Sequence, residues 1–483
     1  MPTRPLLRYV SGGLIGAGLS ALLVAAPAFA QDNAGAAEAV KTLGSATNLL
    51  WVVIGAVLVI FMQAGFALVE TGFTQKKNAA HVMTSNFAIF GLGFVAFMFV
   101  GFPLAFGGFT YSAFGLDAPM NADPLVGSGS WKFLFSGWTH LGQGATPALL
   151  AFFLYMAAFM DTTATIPTGS MAERWKWRSF VGWGLFCGAV YYPLFAAWTW
   201  GGGWLAMTWE SMKLGAGYVD FAGSGVVHAV GGAAALAGAM VLGPRRGKYG
   251  PDRKPRAIPG HNIPMAITGC FILLFGWFGF NAASTFSAED IQFATVAANT
   301  AIAGAVGATV AMFWMMRRMG KPDPGMMVNG MLGGLVAITA PCAFVTPWEA
   351  ALIGGLAAVV VIESAFFIER RGVDDPVGAV AVHGIGGTFG VLCVGLFATG
   401  RYGAGWNGSG DRTITGLFHG GGLGQLGAQA LGATVIWTAI FGLAYGFFAL
   451  QNRLTKDGGI RLPEDIEIEG ADIPEMGVLA YND

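Results

Sequence analysis

Eleven apolar runs, each about 20 residues long, constrain this chain more than any other feature. They fall near 48–71, 87–109, 145–170, 179–207, 224–243, 262–286, 292–316, 326–344, 349–369, 377–399 and 426–450. About 20 apolar residues in a helix cross a bilayer core, and lipid demands that every backbone polar group be satisfied within the protein. The 483 residues are 54% hydrophobic and 11% charged. Soluble domains carry about 25% charged residues, so these charges cannot cover a soluble surface. The expected fold is an all-α polytopic membrane protein with eleven transmembrane helices. The 75 glycines exceed the needs of turns, and small residues let membrane helices approach closely.

Loop charge sets the expected orientation. The loops after runs 1, 3, 5, 7 and 9 hold sixteen basic residues, from Lys76 and Lys77 through the Arg245–Arg256 cluster to Arg370 and Arg371. The loops after runs 2, 4, 6, 8 and 10 hold four: Lys132, Lys213, Arg401 and Arg412. Basic loops stay inside, so the mature N-terminus is expected outside and the C-terminus, with Arg453, Lys456 and Arg461, inside. Ahead of the first run, "MPTRPLLR", an apolar stretch and "APAFA" form the three regions of a secretory signal peptide cleaved after Ala30. Residues 31–45 read as a short polar lead-in.

One seven-residue pattern occurs twice, as "VVHAVGG" at 226–232 and "AVHGIGG" at 381–387. Asp220 precedes His228 by eight residues, as Asp375 precedes His383. The two copies stand in runs 5 and 10. An odd number of spans per repeat reverses the second repeat, so the chain reads as an inverted 5+5 repeat plus an eleventh helix. Functional sites of such repeats lie at their interface near the midplane. There the two histidines are expected to meet. An imidazole at membrane depth is by default a functional group, and neutral imidazoles offer one donor and one acceptor each. A small hydrogen-bonding solute fits such a lumen; a sugar, a peptide or a hydrated metal ion does not. The four cysteines, Cys187, Cys270, Cys342 and Cys393, lack metal or disulfide spacing and read as buried thiols. No metal and no cofactor are expected. Neither a P-loop nor a nucleophile–base pair is present, which argues against an enzyme with catalytic residues.

The site residues carry a resemblance. "DFAGSGVVHAVGGAAALAGAMVLGPR" (220–245) resembles the signature of the ammonium transporter (Amt/Mep/Rh) family, bacterial Amt type, and "MAER" (171–174), "WTWGGGWLA" (198–206), "HNIPM" (261–265), "GWFGFNAAS" (276–284) and "VDDPVGAVAVHGIGG" (373–387) agree with it. The likeness runs from about Leu49 to the "RLPEDIEIEG" segment at 461–470. It implies a homotrimer in the bacterial inner membrane with one pore per subunit. By position, Trp200 and Ser284 would hold ammonium in an outer vestibule together with Phe159, and Phe159 and Phe280 would form the gate. His228, His383 and Trp277 would line the pore and relay protons. Asp220 and Asp375 would give structural or electrostatic support, with backbone capping more plausible for Asp220 than contact with the ion. An indole face attracts a desolvated cation, whereas carrying an intact cation through an apolar lumen is costly. The resemblance therefore implies loss of a proton near Phe159 and passage of ammonia, the proton crossing separately.

Three residues depart from the pattern. Tyr155 stands where many relatives have phenylalanine, which would make the vestibule rim more polar. Glu70, placed two-thirds of the way along the first span, and Asp161, directly after the gate ring, are extra acids that could pair with each other, bond to threonines or handle protons. The expected domains are the signal peptide (1–30), a membrane domain at 31–450 and a cytoplasmic tail at 451–483. Within the membrane domain, repeat one covers about 46–243, repeat two about 262–400 and the eleventh helix about 426–450. Expected partners are ammonium or ammonia, the lipid bilayer, further copies of the chain and, from the resemblance, a PII-type regulatory protein at the cytoplasmic face; no nucleic acid is expected. An ammonium sensor and a neutral gas channel of the Rh type are the alternatives. No fused output domain stands in the sequence, which favours transport, and Trp200 with Ser284 favours cation recruitment.

Overall fold

The computed structural model describes residues 33–109, 111, 115–116, 124–137, 141–142, 145–456 and 458–482. The expected signal peptide, 1–30, lies outside them. Among the described residues, ten helices are long and apolar enough to cross a membrane. They are α1 (Asn33–Phe73), α2 (Lys76–Phe106), α3 (Pro147–Met171), α4 (Trp177–Trp198), α5 (Ser224–Leu242), α6 (Ile263–Thr285), α7 (Gln292–Met319), α9 (Pro347–Arg370), α10 (Val380–Phe397) and α11 (Gly424–Leu454). The eleventh, α8 (Pro324–Ile338), has 15 residues. At 1.5 Å per residue it rises about 22 Å, short of the hydrocarbon thickness.

The missing depth is irregular backbone, which is tolerated in a membrane only where protein surrounds it. Residues 339–345 are buried and pair with the equally irregular entry to α5. Phe221 and Ala222 donate N–H to the carbonyls of Ala340 and Thr339, at 3.2 and 3.1 Å. Ser224 Oγ accepts from Ala340 N at 2.6 Å, and Asn299 Nδ2 donates to the Cys342 and Val345 carbonyls at 2.9 Å each.

Several boundaries move from the sequence expectation. α1 runs through the expected lead-in, because its "AGAAEAV" start is rich in strong helix formers. Glu70 sits in the last turn of α1, at the end of the first span and not two-thirds of the way along it. α2 begins well before its apolar run. The Asp472 carboxylate, from the far end of the chain, accepts the backbone N–H groups of Ala80 and His81 at 3.0 and 2.9 Å. It so caps the α-helical part of α2, which begins at Ala79 after a 3-10 turn at Lys76–Asn78.

The first helices of the two halves, α1 and α6, pack along facing glycines, and so do the fifth helices, α5 and α10. A Cβ on Gly232 would lie 2.1 Å from Gly384 N, and one on Gly387 would lie 2.3 Å from Ser224 O. Both obstacles are backbone that cannot swing aside. Gly232→Ala is therefore expected to cost about 1–3 kcal/mol by overpacking and to force the histidine-bearing segments apart. Thermal unfolding in detergent checks this, and an alanine variant melting with the parent would contradict the tight crossing.

Two faces cap the bundle. One carries a hairpin of β1 (Pro124–Ser128) and β2 (Trp131–Phe135); we call it the hairpin face. The opposite face carries the tail. There Lys176 N donates to Ile460 O and Leu462 N to Arg174 O, both at 3.0 Å. Arg461 bonds the carbonyls of Leu242 and Pro244 and the Glu467 carboxylate of α12 (Glu464–Glu469). Under the tail lies a buried ion cluster. Arg245 pairs with Asp374 at 2.8 Å and with Glu173 at 2.9 Å. Arg174 spends its guanidinium on the carbonyls of Ala172, Gly243 and Asp374.

Candidate functional site

A cavity of about 660 Å3 opens on the hairpin face. Trp200, Phe159 and Ser284 line its floor, with Phe221, Tyr402 and Trp406 among its walls. Trp200 is held by its indole N–H, which donates to the Asp220 carbonyl at 2.7 Å. That bond uses the ring's only donor, so the indole can meet a solute only through its π system. Ser284 Oγ donates to Phe280 O at 2.7 Å. With its proton committed there, the hydroxyl presents lone pairs. Aromatic face and lone pair together suit a small cation that carries N–H groups.

Tyr155 takes a different place from the expected rim. It is fully buried, and its hydroxyl lies 3.0 Å from Ser284 Oγ and 2.9 Å from Gly279 O. It supports Ser284 from behind and does not line the cavity.

Below the cavity floor, the Phe159 and Phe280 rings stack with centroids 4.0 Å apart. Rings stacked at that spacing leave no room for a water between them. Phe280 in turn stacks on His228 at 5.4 Å, and Trp277 covers the same imidazole at 5.2 Å. Trp277 is fixed by donation from Nε1 to Thr339 Oγ1 at 2.8 Å.

His228 and His383 meet, Nδ1 to Nδ1, at 3.1 Å. Such a contact needs one donor and one acceptor. The pair therefore shares a single proton between the two Nδ1 atoms, and the imidazoles hold opposite tautomers. Reversing the link exchanges those tautomers.

The repeated aspartates explain how two helices are opened at this depth. Asp220 accepts N–H from Gly223 and Gly225 at 2.8 Å and from Val226 at 2.9 Å. Asp375 accepts from Gly378 at 3.1 Å and Val380 at 2.7 Å. The offsets, three and five residues, recur in both halves. Each carboxylate satisfies the free donors of a helix start. The first six residues of each helix, Ser224–Ala229 and Val380–Ile385, are widened to π-helix, which carries the histidine toward the axis.

Beyond His383 a small chamber of about 20 Å3 reaches Glu70. Asn329 and Val377 border both this chamber and a cavity of about 190 Å3 on the tail face, where Asp375, Arg245 and Lys248 also stand. Asp161 lines none of these three cavities. At 100° per residue it lies about 200° round the helix from Phe159, so it points away from the lumen. Its Oδ1 has no hydrogen-bond partner, and Glu70 is bonded to Asn86 and Thr168 instead; the two acids do not pair. Asn329, Thr339 and the vestibule walls Tyr402 and Trp406 carried no recognisable signal, because each comes from a segment without a repeated motif; Phe221 stands in the 220–245 signature without an expected role. The four cysteines are buried and unpaired.

The model of the Ammonium Transporter Family matches residues 50–481. This chain belongs to the ammonium transporter family. It is 42% identical to "Ammonium transporter Amt2" of Archaeoglobus fulgidus over 96% of this chain and 94% of that protein. It is 32% identical to "Ammonium transporter Amt1" of Haloferax mediterranei over 91% and 80%. Among solved structures, one titled "Sensor Amt Protein" matches with TM-score 0.77 and 33% identity, covering 90% of this chain and all of that one. Candida albicans Mep2 matches with TM-score 0.71 and 26% identity over 87% of each chain. The ammonium transporter is a multi-pass membrane protein that acts on ammonium or ammonia, not an enzyme.

Proposed function

We propose that ammonium is recruited in the vestibule by Trp200, Ser284 and Phe159, that it loses its proton at the Phe159–Phe280 gate, and that ammonia passes the histidines while the proton crosses separately. The observation that carries this reading is the shared-proton link between His228 and His383. It sits on the line from the hairpin-face vestibule to the tail-face cavity, under a closed aromatic gate. A bare ion would lose its hydration there for an apolar lumen, whereas ammonia and a hopping proton would not. Potassium, which has no N–H to give Ser284, would bind more weakly.

In this reading the hairpin face is outside, the tail face is cytoplasmic, and the protein works as a homotrimer in the inner membrane after loss of residues 1–30. A PII-type protein docks at the tail face. The basic loops, which all lie on the tail side, support the orientation. The native cysteines are buried, so labelling of a Lys132→Cys variant with an impermeant maleimide tests it. Native mass spectrometry counts the subunits.

An ammonium jump on proteoliposomes bound to a solid-supported membrane tests the mechanism. The parent is expected to give a saturable current, and the His228→Ala/His383→Ala variant to lose it. No parent current, with ammonium still bound at Trp200, would favour a sensor, as in the protein titled a sensor at 33% identity, or a neutral gas channel.

A further inference from the structure

Glu70 has no role in the mechanism above, yet it stands at the far end of the chamber that begins at His383. Otherwise the chamber is walled by apolar groups such as Phe66, Leu273 and Leu332, with the amide of Asn329. Among the described residues no cation pairs with Glu70. Its carboxylate is held by neutral donors: Asn86 Nδ2 at 2.6 Å and Thr168 Oγ1 at 2.8 and 2.9 Å.

Thr168 makes this a site that accepts two protonation states. Its single hydroxyl proton has two acceptors, Glu70 and the Thr165 carbonyl at 2.5 Å. When Glu70 is ionised, the hydroxyl donates to it. When Glu70 carries a proton, the carboxyl donates to Thr168 Oγ, and the hydroxyl turns to Thr165. One bond rotation satisfies every polar atom in both states. A group that served only to join α1, α2 and α3 would not need a second state or a position on the lumen.

We propose that Glu70 is the proton acceptor that empties the histidine pair toward the tail face. The inference rests on the relay reading above. The chamber, about 20 Å3, is large enough for one water. In the step, the His383 imidazolium N–H bond breaks and gives its proton to that water. The water passes a different proton to Glu70, forming a carboxyl O–H and leaving the histidine neutral. The proton then leaves past Asn329 and Val377 into the tail-face cavity, which restores the carboxylate. Atoms and charge balance without a further reactant.

The test compares ammonium currents of the parent, Glu70→Gln and Glu70→Asp in proteoliposomes, normalised to protein incorporated. Gln keeps the size of the side chain and the hydrogen-bonding of its protonated form, one acceptor and one donor group, but cannot carry the proton. Asp keeps the proton site but is too short to hold Asn86 and Thr168 as well. A proton acceptor gives more current in Glu70→Asp than in Glu70→Gln, with Glu70→Gln reduced at least about tenfold. A staple between helices gives the reverse order. That reverse order, equal currents, or parent-like current in Glu70→Gln would overturn the proposal. A parent protein without ammonium current would overturn the relay reading, and this inference with it.

Discussion

Asp220→Ala is expected to be the most damaging single change in the molecule. The carboxylate accepts three backbone N–H groups, from Gly223, Gly225 and Val226, and it is buried. Alanine would leave all three donors without partners in a place that water does not reach. Each buried orphan costs about 1–3 kcal/mol, so the sum is a large part of a typical folding stability of about 5–15 kcal/mol. The loss would also release Trp200, whose indole N–H is anchored on the Asp220 carbonyl. The variant should be recovered poorly and melt roughly 10 °C or more below the parent. Asp375→Ala supplies the comparison. It removes two bonds, not three, at a residue that borders the tail-face cavity, where water can replace the carboxylate. The expected order of melting temperatures is parent, Asp375→Ala, Asp220→Ala. An Asp220→Ala protein that melts with the parent would refute capping as its role.

Arg245→Ala is expected to follow closely. The guanidinium is shared between two buried acids, Asp374 and Glu173. Removing it leaves Asp374 and Glu173 without the cation they share, and Arg174, bonded to carbonyls, offers only its charge at a distance. Breaking a buried pair from one side costs about 3–5 kcal/mol. The pH dependence gives a second signature. Burial alone would raise the Asp374 carboxyl, but its bonds to Arg245 and the charge of Arg174 outweigh that. They hold it at about 2, below its ordinary 3.8. A depressed carboxyl stabilises the fold above its unfolded value. That contribution is lost as pH falls from about 3.8 toward 2. The parent should therefore lose stability across that window. The variant, having lost the Arg245 part of that contribution already, should lose less, and the gap between them should narrow on acidification. Thermal unfolding at about pH 7 and about pH 3 measures both. A gap that widens toward low pH would contradict this account of the cluster.

The tail helps to explain why this cluster is buried. Arg461 and the α12 segment close over the loop that carries Arg245. Asp472 ends its own reach on the start of α2. The polar tail, to which the sequence assigned no structural role, is a structural part of the tail-face end of the bundle.

What the sequence by itself determined is the part of the molecule that depends on length and spacing along the chain. Ten of the eleven apolar runs correspond to helices long enough to cross, because crossing hydrocarbon requires a long helix; the run at 326–344 corresponds to the shorter α8. The doubled His motif with an aspartate eight residues earlier marked α5 and α10, because a helix start needs a cap at a set offset from its free N–H groups. What only the tertiary structure decided is every feature in which distant segments complete one another. The α-helical part of α2 is capped by Asp472, nearly 400 residues away. Residues 339–345 can remain irregular because α5 begins beside them. Tyr155 lies behind Ser284, since α3 turns it toward α6 and not toward the vestibule. Asp161 looked like a partner for Glu70 along the chain, but it stands seven residues, about two helical turns, before Thr168, the α3 residue that Glu70 bonds. The two histidines share one proton because close glycine contacts bring α5 and α10 together, a distance that no sequence spacing could specify.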